Sequence, residues 1–214
     1  MRWKRVPKNS SYQPASGVYS DWKELLSIEA EHLCVYCSIH ESSMGGVRNF
    51  HVEHFRPKSK FENLVNIFSN LFYACPICNV FKSNDWPHEP DGDNYLRVIC
   101  YPDPSIVNYA DIFEVNLNTG LIEGKYTSAK YIQNKLYLNR PQLIIDRKFL
   151  ILNDKMSSIV KDIELYMEKL SKRLDNPAAV QLLLELTYWL AEVVKIQSLL
   201  PTATPYKVAD ITKD

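Results

Sequence analysis

An excess of positive charge is the first thing this sequence lacks: 25 Lys and Arg are balanced by 25 Asp and Glu, for a formal net charge of zero. Nucleic-acid-binding proteins draw much of their affinity from neutralising phosphates, so a neutral chain is expected to grip a polyanion weakly by itself. There is no internal repeat and no low-complexity tract, which excludes a solenoid and argues against disorder over most of the length. The basic opening MRWKRVPK is not followed by an apolar run or a small-residue cleavage site, so no secretion signal is expected. Nor is there an uninterrupted apolar span. The most apolar stretch, residues 178–200, contains Glu185, Glu192 and Lys195, whose cost at a bilayer centre argues for a helix that faces protein. The expectation is a soluble, cytoplasmic chain with no membrane role. No element that reads bases is visible.

What is present can build a core. With 214 residues, 46% apolar and 12% aromatic, the chain suits one domain with appendages or two small ones. Its five cysteines, in a chain read as intracellular, point to metal or free thiols and away from a disulfide framework. Cys34 and Cys37 form one CxxC, Cys75 and Cys78 form a second, and Cys100 stands alone. A two-residue spacing lets both thiolates of a tight turn face one cation, so two such knuckles complete a tetrahedral site with no open position. That describes a structural zinc; the alternative is two unrelated pairs of buried or redox-active thiols. Cys100 is expected to be a small core residue.

The interval between the knuckles, residues 38–74, is longer than in common zinc ribbons. It contains Phe50, His51, Val52, Glu53, His54, Phe55, Arg56, Pro57 and Lys58, where apolar and polar residues alternate as in a strand until Pro57. His51, Glu53 and Phe55 would share one face, and Val52, His54 and Arg56 the other. After the second knuckle, Asn79 would sit in the first turn of a short helix, with Lys82 about one turn on along the same side.

These residues resemble the HNH nuclease family, whose ββα-metal motif is framed by four zinc-binding cysteines in many members. Glu53 and His54 fall on the family's acidic-or-His plus His pair, Asn70 on its middle Asn, and Asn79 on its final Asn or His. HVEHFRPKS, NLFYACPICNVFKS and YLNRPQLIIDR further resemble the narrower group of retron-associated and Septu-type anti-phage nucleases, the PtuB group. Many HNH enzymes carry His, or Asp, which is one methylene shorter than Glu, where Glu53 stands. The resemblance covers roughly residues 30–150. It implies an α+β fold: a zinc-stapled ββα-metal core with a β-hairpin and additional C-terminal helices.

It also implies phosphodiester hydrolysis, which needs a deprotonated water in line with the leaving oxygen and a cation to absorb charge on the phosphate. His54 is the candidate general base, because imidazole titrates near neutrality. Glu53 and Asn79 offer hard oxygen ligands to Mg²⁺ or Mn²⁺. Asn70 is expected to orient the His54 ring or the adjoining loop, while His51, Arg56 and Lys82 are candidates for phosphate contact or leaving-group stabilisation. His32, His40 and His88 are read as satisfied structural residues. Nucleic acid is the expected substrate, DNA favoured over RNA, and the group implies a partner ATPase of the ABC or SMC-like class (PtuA-like). The competing function is a non-catalytic zinc module that scaffolds a defence or nucleic-acid-binding assembly.

The remaining chain is expected to form a hairpin over residues 113–125, around an Asn-Thr-Gly turn. Helices follow over 128–138, 142–152, 155–174 and 177–200, the last two punctuated by Asp175-Asn176-Pro177. This pair would pack on the nuclease core or dock the partner. The expected organisation is a basic N-terminal arm and first helix (1–29), the nuclease core (30–105), a hairpin and helical extension (106–152), and a C-terminal helical hairpin and tail (153–214).

Overall fold

A computed structural model describes residues 2–172 and 175–199. The chain divides into two compact units, the first running to Asp146 and the second beginning at Arg147. The expected helix ends at 174 and 200, and the tail beyond, lie outside the described residues.

The first unit is built around the two CxxC turns. A 3₁₀ turn, Tyr19–Trp22, which buries Trp22, leads into helix α1 (Lys23–Glu29), which buries Leu26. The first knuckle is a tight reversal. Leu33 and His40 bridge across it, the Cys34 amide donates to the carbonyl of Ile39, and Ser38 adopts a positive φ of 54° to close the turn. Strands β1 (His51–His54) and β2 (Leu71–Ala74) pair antiparallel, with His51 opposite Ala74 and His54 opposite Leu71. Helix α2 (Pro76–Lys82) starts on the second knuckle. Cys75 caps it, its Sγ accepting from the Cys78 amide, and Pro76 at the first helical position needs no amide partner. A backbone hydrogen bond from Val35 to Tyr73, 2.9 Å, ties the first knuckle to β2. Phe50 stacks on Tyr73 with ring centroids 4.7 Å apart, and Phe55 meets Trp86 edge-on at 5.0 Å, closing the core beneath the strands.

Downstream, the short helix α3 (Tyr109–Ile112) precedes the hairpin of β3 (Phe113–Val115) and β4 (Ile122–Gly124). Its turn has Asn116 accepting from the amides of Asn118 and Thr119, with Gly120 at φ 74°. Helix α4 (Thr127–Lys135) lies so close to β4 that a Cβ on Gly124 would come within 2.4 Å of the Lys130 backbone nitrogen. Only glycine fits there. Cys100 is buried, as its small apolar character suggests.

The N-terminal arm is not the free basic patch that its composition suggests. Trp3 donates its indole N–H to the Tyr36 carbonyl at 3.0 Å inside the first knuckle, and three of the arm's four cations are taken up by carboxylates: Arg2 with Asp146, Lys4 with Glu31, Lys8 with Glu29. Lys8 also lies over the rings of Phe68 and Phe72. The arm is a structural strap, and most of its charge is matched by carboxylates of the protein itself.

Helix α5 (Pro141–Ser171) begins in the first unit and runs into the second. The helices expected over 142–152 and from 155 are therefore one. No proline or glycine interrupts the stretch after Pro141, so nothing forces a break. Asn176 caps the following helix α6 (Pro177–Leu199), accepting from the Ala178 amide at 2.9 Å. Ile159 and Tyr166 on α5, and Leu184, Tyr188 and Trp189 on α6, are exposed. The interrupting charges do not take Pro177–Lys195 below the length and apolarity that a membrane span needs: its mean hydropathy is 1.2, with 6% of it buried.

Candidate functional site

Four buried sulfurs, those of Cys34, Cys37, Cys75 and Cys78, lie within 4.8 Å of one another, and all four cysteines are free of disulfides. Zinc–thiolate bonds of about 2.3 Å in a tetrahedron set the sulfurs about 3.8 Å apart. The Cys37–Cys75 separation is 3.7 Å. The donor set and its spacing thus fit a closed tetrathiolate zinc, with no ligand position left for a substrate.

Beside this cluster, an open cavity of about 730 Å³ is lined by His51, Glu53, His54 and Asn79, and also by Tyr19, Lys23 and Lys58. Strand β1 and helix α2 supply the first group: β1 pairs with β2, and α2 follows β2 through the second knuckle, which brings residues so far apart in sequence together. The His54 ring nitrogen Nε2 lies 3.0 Å from the carbonyl oxygen of Val65. A carbonyl can only accept, so Nε2 carries the proton and Nδ1 keeps the lone pair. Burial lowers the pKa of His54; the Val65 hydrogen bond opposes that shift, and the ammonium groups of Lys58 and Lys82 add to it. The imidazole is neutral at neutral pH, the form a base requires. Tyr19 meets its ring edge-on, with centroids 4.8 Å apart.

Asn79 donates from Nδ2 to Nδ1 of His51 at 2.8 Å, which leaves the Asn79 amide oxygen for a cation. Glu53 lines the cavity yet is almost wholly buried. Its Oε1 accepts from Lys82 at 2.7 Å and from the Tyr36 hydroxyl at 3.1 Å. Burial raises its pKa, while Lys82 and Tyr36 pull it back.

Asn70 sits in the turn before β2. Its Oδ1 accepts from the Arg56 amide at 2.8 Å, and its Nδ2 donates to the carbonyls of Arg56 and Leu64 at 3.1 and 3.3 Å. It holds both ends of the loop that follows His54. Arg56 points elsewhere, its guanidinium paired with Glu89, and it does not line the cavity. Lys82 is also not a phosphate contact: its amine is buried, bound to Glu53 and to the His54 carbonyl at 3.1 Å, and flanked by the rings of Trp86 and Tyr101. Lys82 is a foundation beneath the cavity. Replacing it with methionine would leave Glu53 as an unpaired buried charge, so Lys82→Met is expected to cost about 3–5 kcal/mol of stability. Urea denaturation would measure this, and a loss under about 1 kcal/mol would remove Lys82 from the foundation.

The cavity wall contributed by Tyr19 and Lys23 was not visible in the sequence. The Tyr19 amide donates to Asn66 Oδ1 at 2.9 Å, fixing the 3₁₀ turn to the loop after β1, and Lys58 lies over the Tyr19 ring at 5.4 Å. Among the other histidines, His40 caps a 3₁₀ turn through Ser42, His32 bonds Ser27, and His88 bonds the Ile99 carbonyl. None belongs to the cavity.

No curated protein and no solved structure matches this chain. Residues 34–85, which carry both knuckles, strands β1 and β2 and helix α2, match the family model described as HNH endonuclease, and the four cysteines of this segment are positioned to bind a metal ion.

Proposed function

We propose that the chain is a metal-dependent nuclease that hydrolyses phosphodiester bonds, DNA in preference to RNA, in the cavity between β1 and α2. The observation that carries this reading is the tautomer of His54: the Val65 carbonyl holds its Nε2 proton, and Nδ1 is left as the acceptor in a cavity shared with Asn79. His54 takes the proton of the attacking water. Asn79, held by His51, and Glu53 are the groups for a divalent ion of the Mg²⁺ or Mn²⁺ class, which when bound supplies positive charge to the phosphate and leaving oxygen. Lys23 and Lys58 on the cavity wall are placed to meet flanking phosphates. Asn70 keeps the loop after His54 closed, which fixes the base relative to Asn79.

The assignment extends to a cytoplasmic anti-phage complex with an ABC or SMC-like ATPase as partner, the arrangement implied by the resemblance to the Septu-type group. Three features support a need for help in holding nucleic acid: the zero net charge, the pairing of three of the arm's four cations with carboxylates, and the exposed apolar side chains of α5 and α6. Co-purification with an ATPase subunit tests the partnership.

The activity is tested by offering the purified chain, with and without such a partner, plasmid DNA and structured RNA in Mg²⁺, Mn²⁺ or chelator. Cleavage is expected only with the divalent ion. Asn79→Ala should raise the ion concentration for half-maximal cleavage at least about tenfold, the loss that even an outer-sphere partner can bring. Metal-independent cleavage, or an unshifted requirement in Asn79→Ala, would overturn the ligand assignment.

A further inference from the structure

We propose that Arg140 is the fixed counter-cation of the tetrathiolate, and that it controls how readily the zinc leaves. Its guanidinium reaches three of the four sulfurs: Nη2 lies 3.5 Å from Cys37, 3.7 Å from Cys75 and 3.8 Å from Cys78, and Nη1 lies 3.8 Å from Cys78. The fork is held in place from behind, where Nη1 donates to the Leu136 carbonyl at 3.1 Å and to the Tyr137 carbonyl at 3.4 Å. Its Nε is buried without a partner among the described residues. A carboxylate would be the ordinary partner of such an arginine, and the sulfurs occupy its place.

The chemistry follows from charge. Four thiolates around Zn²⁺ carry a net charge of −2 in a buried setting, where little solvent is available to screen it. A guanidinium in contact with three sulfurs offsets half of that charge, and its N–H groups draw electron density from the sulfur lone pairs. Both effects disfavour protonation of the sulfurs, the step that frees a thiolate and opens the zinc to a competing chelator. The planar fork matters because one cation must serve three sulfurs at once, which a single ammonium does poorly. Arg140 stands immediately before Pro141, the first residue of α5. The residue that screens the metal is therefore also the one from which α5 departs, and it lies well outside the segment that matches the HNH family.

This inference rests on the zinc reading alone and is independent of nuclease activity. The test follows transfer of zinc from the full-length protein to a chromogenic chelator, in wild type, Arg140→Met and Arg140→Lys, alongside each protein's unfolding rate by tryptophan fluorescence. Wild type should carry one zinc per chain. Arg140→Met is expected to transfer its metal about tenfold faster or more, the range known for losing an outer-sphere partner. Arg140→Lys, which keeps the charge and loses the fork, should fall between the two and carries the test if Arg140→Met does not fold. Equal transfer rates in wild type and variants would overturn the proposal, as would a variant rate that merely equals its own unfolding rate. A wild-type protein without zinc would overturn the metal site itself and the role of Arg140 with it.

Discussion

Replacing His54 by alanine is expected to lower nucleic-acid cleavage by about 10²–10⁴-fold, the usual contribution of a positioned general base, while zinc content and the melting curve stay close to wild type. The imidazole contributes one hydrogen bond to the Val65 carbonyl and one ring contact to Tyr19, so its loss does little to the fold. The pH profile gives an independent check on the same residue. Burial depresses the pKa of His54 in the folded protein. Protonation removes the Nδ1 lone pair, so the rate should hold at neutral pH and fall as pH drops through that depressed value, with a midpoint below about 6.5, the ordinary imidazole pKa. This acid limb should vanish from the residual activity of His54→Ala. A variant that cuts as fast as wild type would overturn the assignment of His54 as the base.

Cys75→Ser should have the opposite signature, with loss of structure ahead of any loss of chemistry. Binding of a structural zinc contributes an apparent 10–16 kcal/mol, roughly, to small metal-stapled domains, against a total stability of about 5–15 kcal/mol for a typical domain. Cys75 does two jobs. It is one of the four sulfurs, and it caps the helix that carries Asn79 and Lys82. Without it, the metal site opens, α2 loses its cap, and the pairing of Asn79 with His51 has nothing to hold it. Metal analysis should show zinc reduced or absent, and thermal unfolding should lose its cooperative transition. One zinc per chain with an unchanged melting curve in Cys75→Ser would refute the structural-zinc assignment.

The metal frame was legible because its signal is local: two CxxC spacings declare a tetrathiolate before any fold is known, and the sulfur positions agree with it. The strand through HVEH, the capped helix after the second knuckle and the hairpin at 113–125 were legible for similar reasons, since alternation, Pro at a helix start and an Asn-Thr-Gly turn act over a few residues. Arg56 and Lys82 show the limit. Both carry the right charge at a suggestive spacing, yet their amines and guanidines are committed to Glu89 and Glu53, and no local pattern reveals a partner on another element. The same holds for Tyr19 and Lys23, which reach the cavity only through tertiary folding. It holds for Arg140 too, whose guanidinium becomes a sulfur contact only when the chain returns to the knuckles. The continuous α5 is a different kind of case. Nothing in the sequence between Pro141 and Ser171 breaks a helix, and the expected interruption had no residue to cause it.

The strap formed by the N-terminal arm bears on when this protein can finish folding. Arg2 pairs with Asp146, and Trp3 stacks on Phe113 with ring centroids 5.1 Å apart. On a ribosome, the arm emerges well before these later residues and cannot close until they leave the exit tunnel. The thiolates of Cys34 to Cys78, by contrast, are all available well before then. Metal capture can precede closure of the arm during synthesis, leaving an interval in which the knuckles are assembled and the hydrophobic underside of the arm is bare. A chain terminated prematurely within that interval would keep its zinc ligands and lack its strap, and would be an early target for chaperones and proteases.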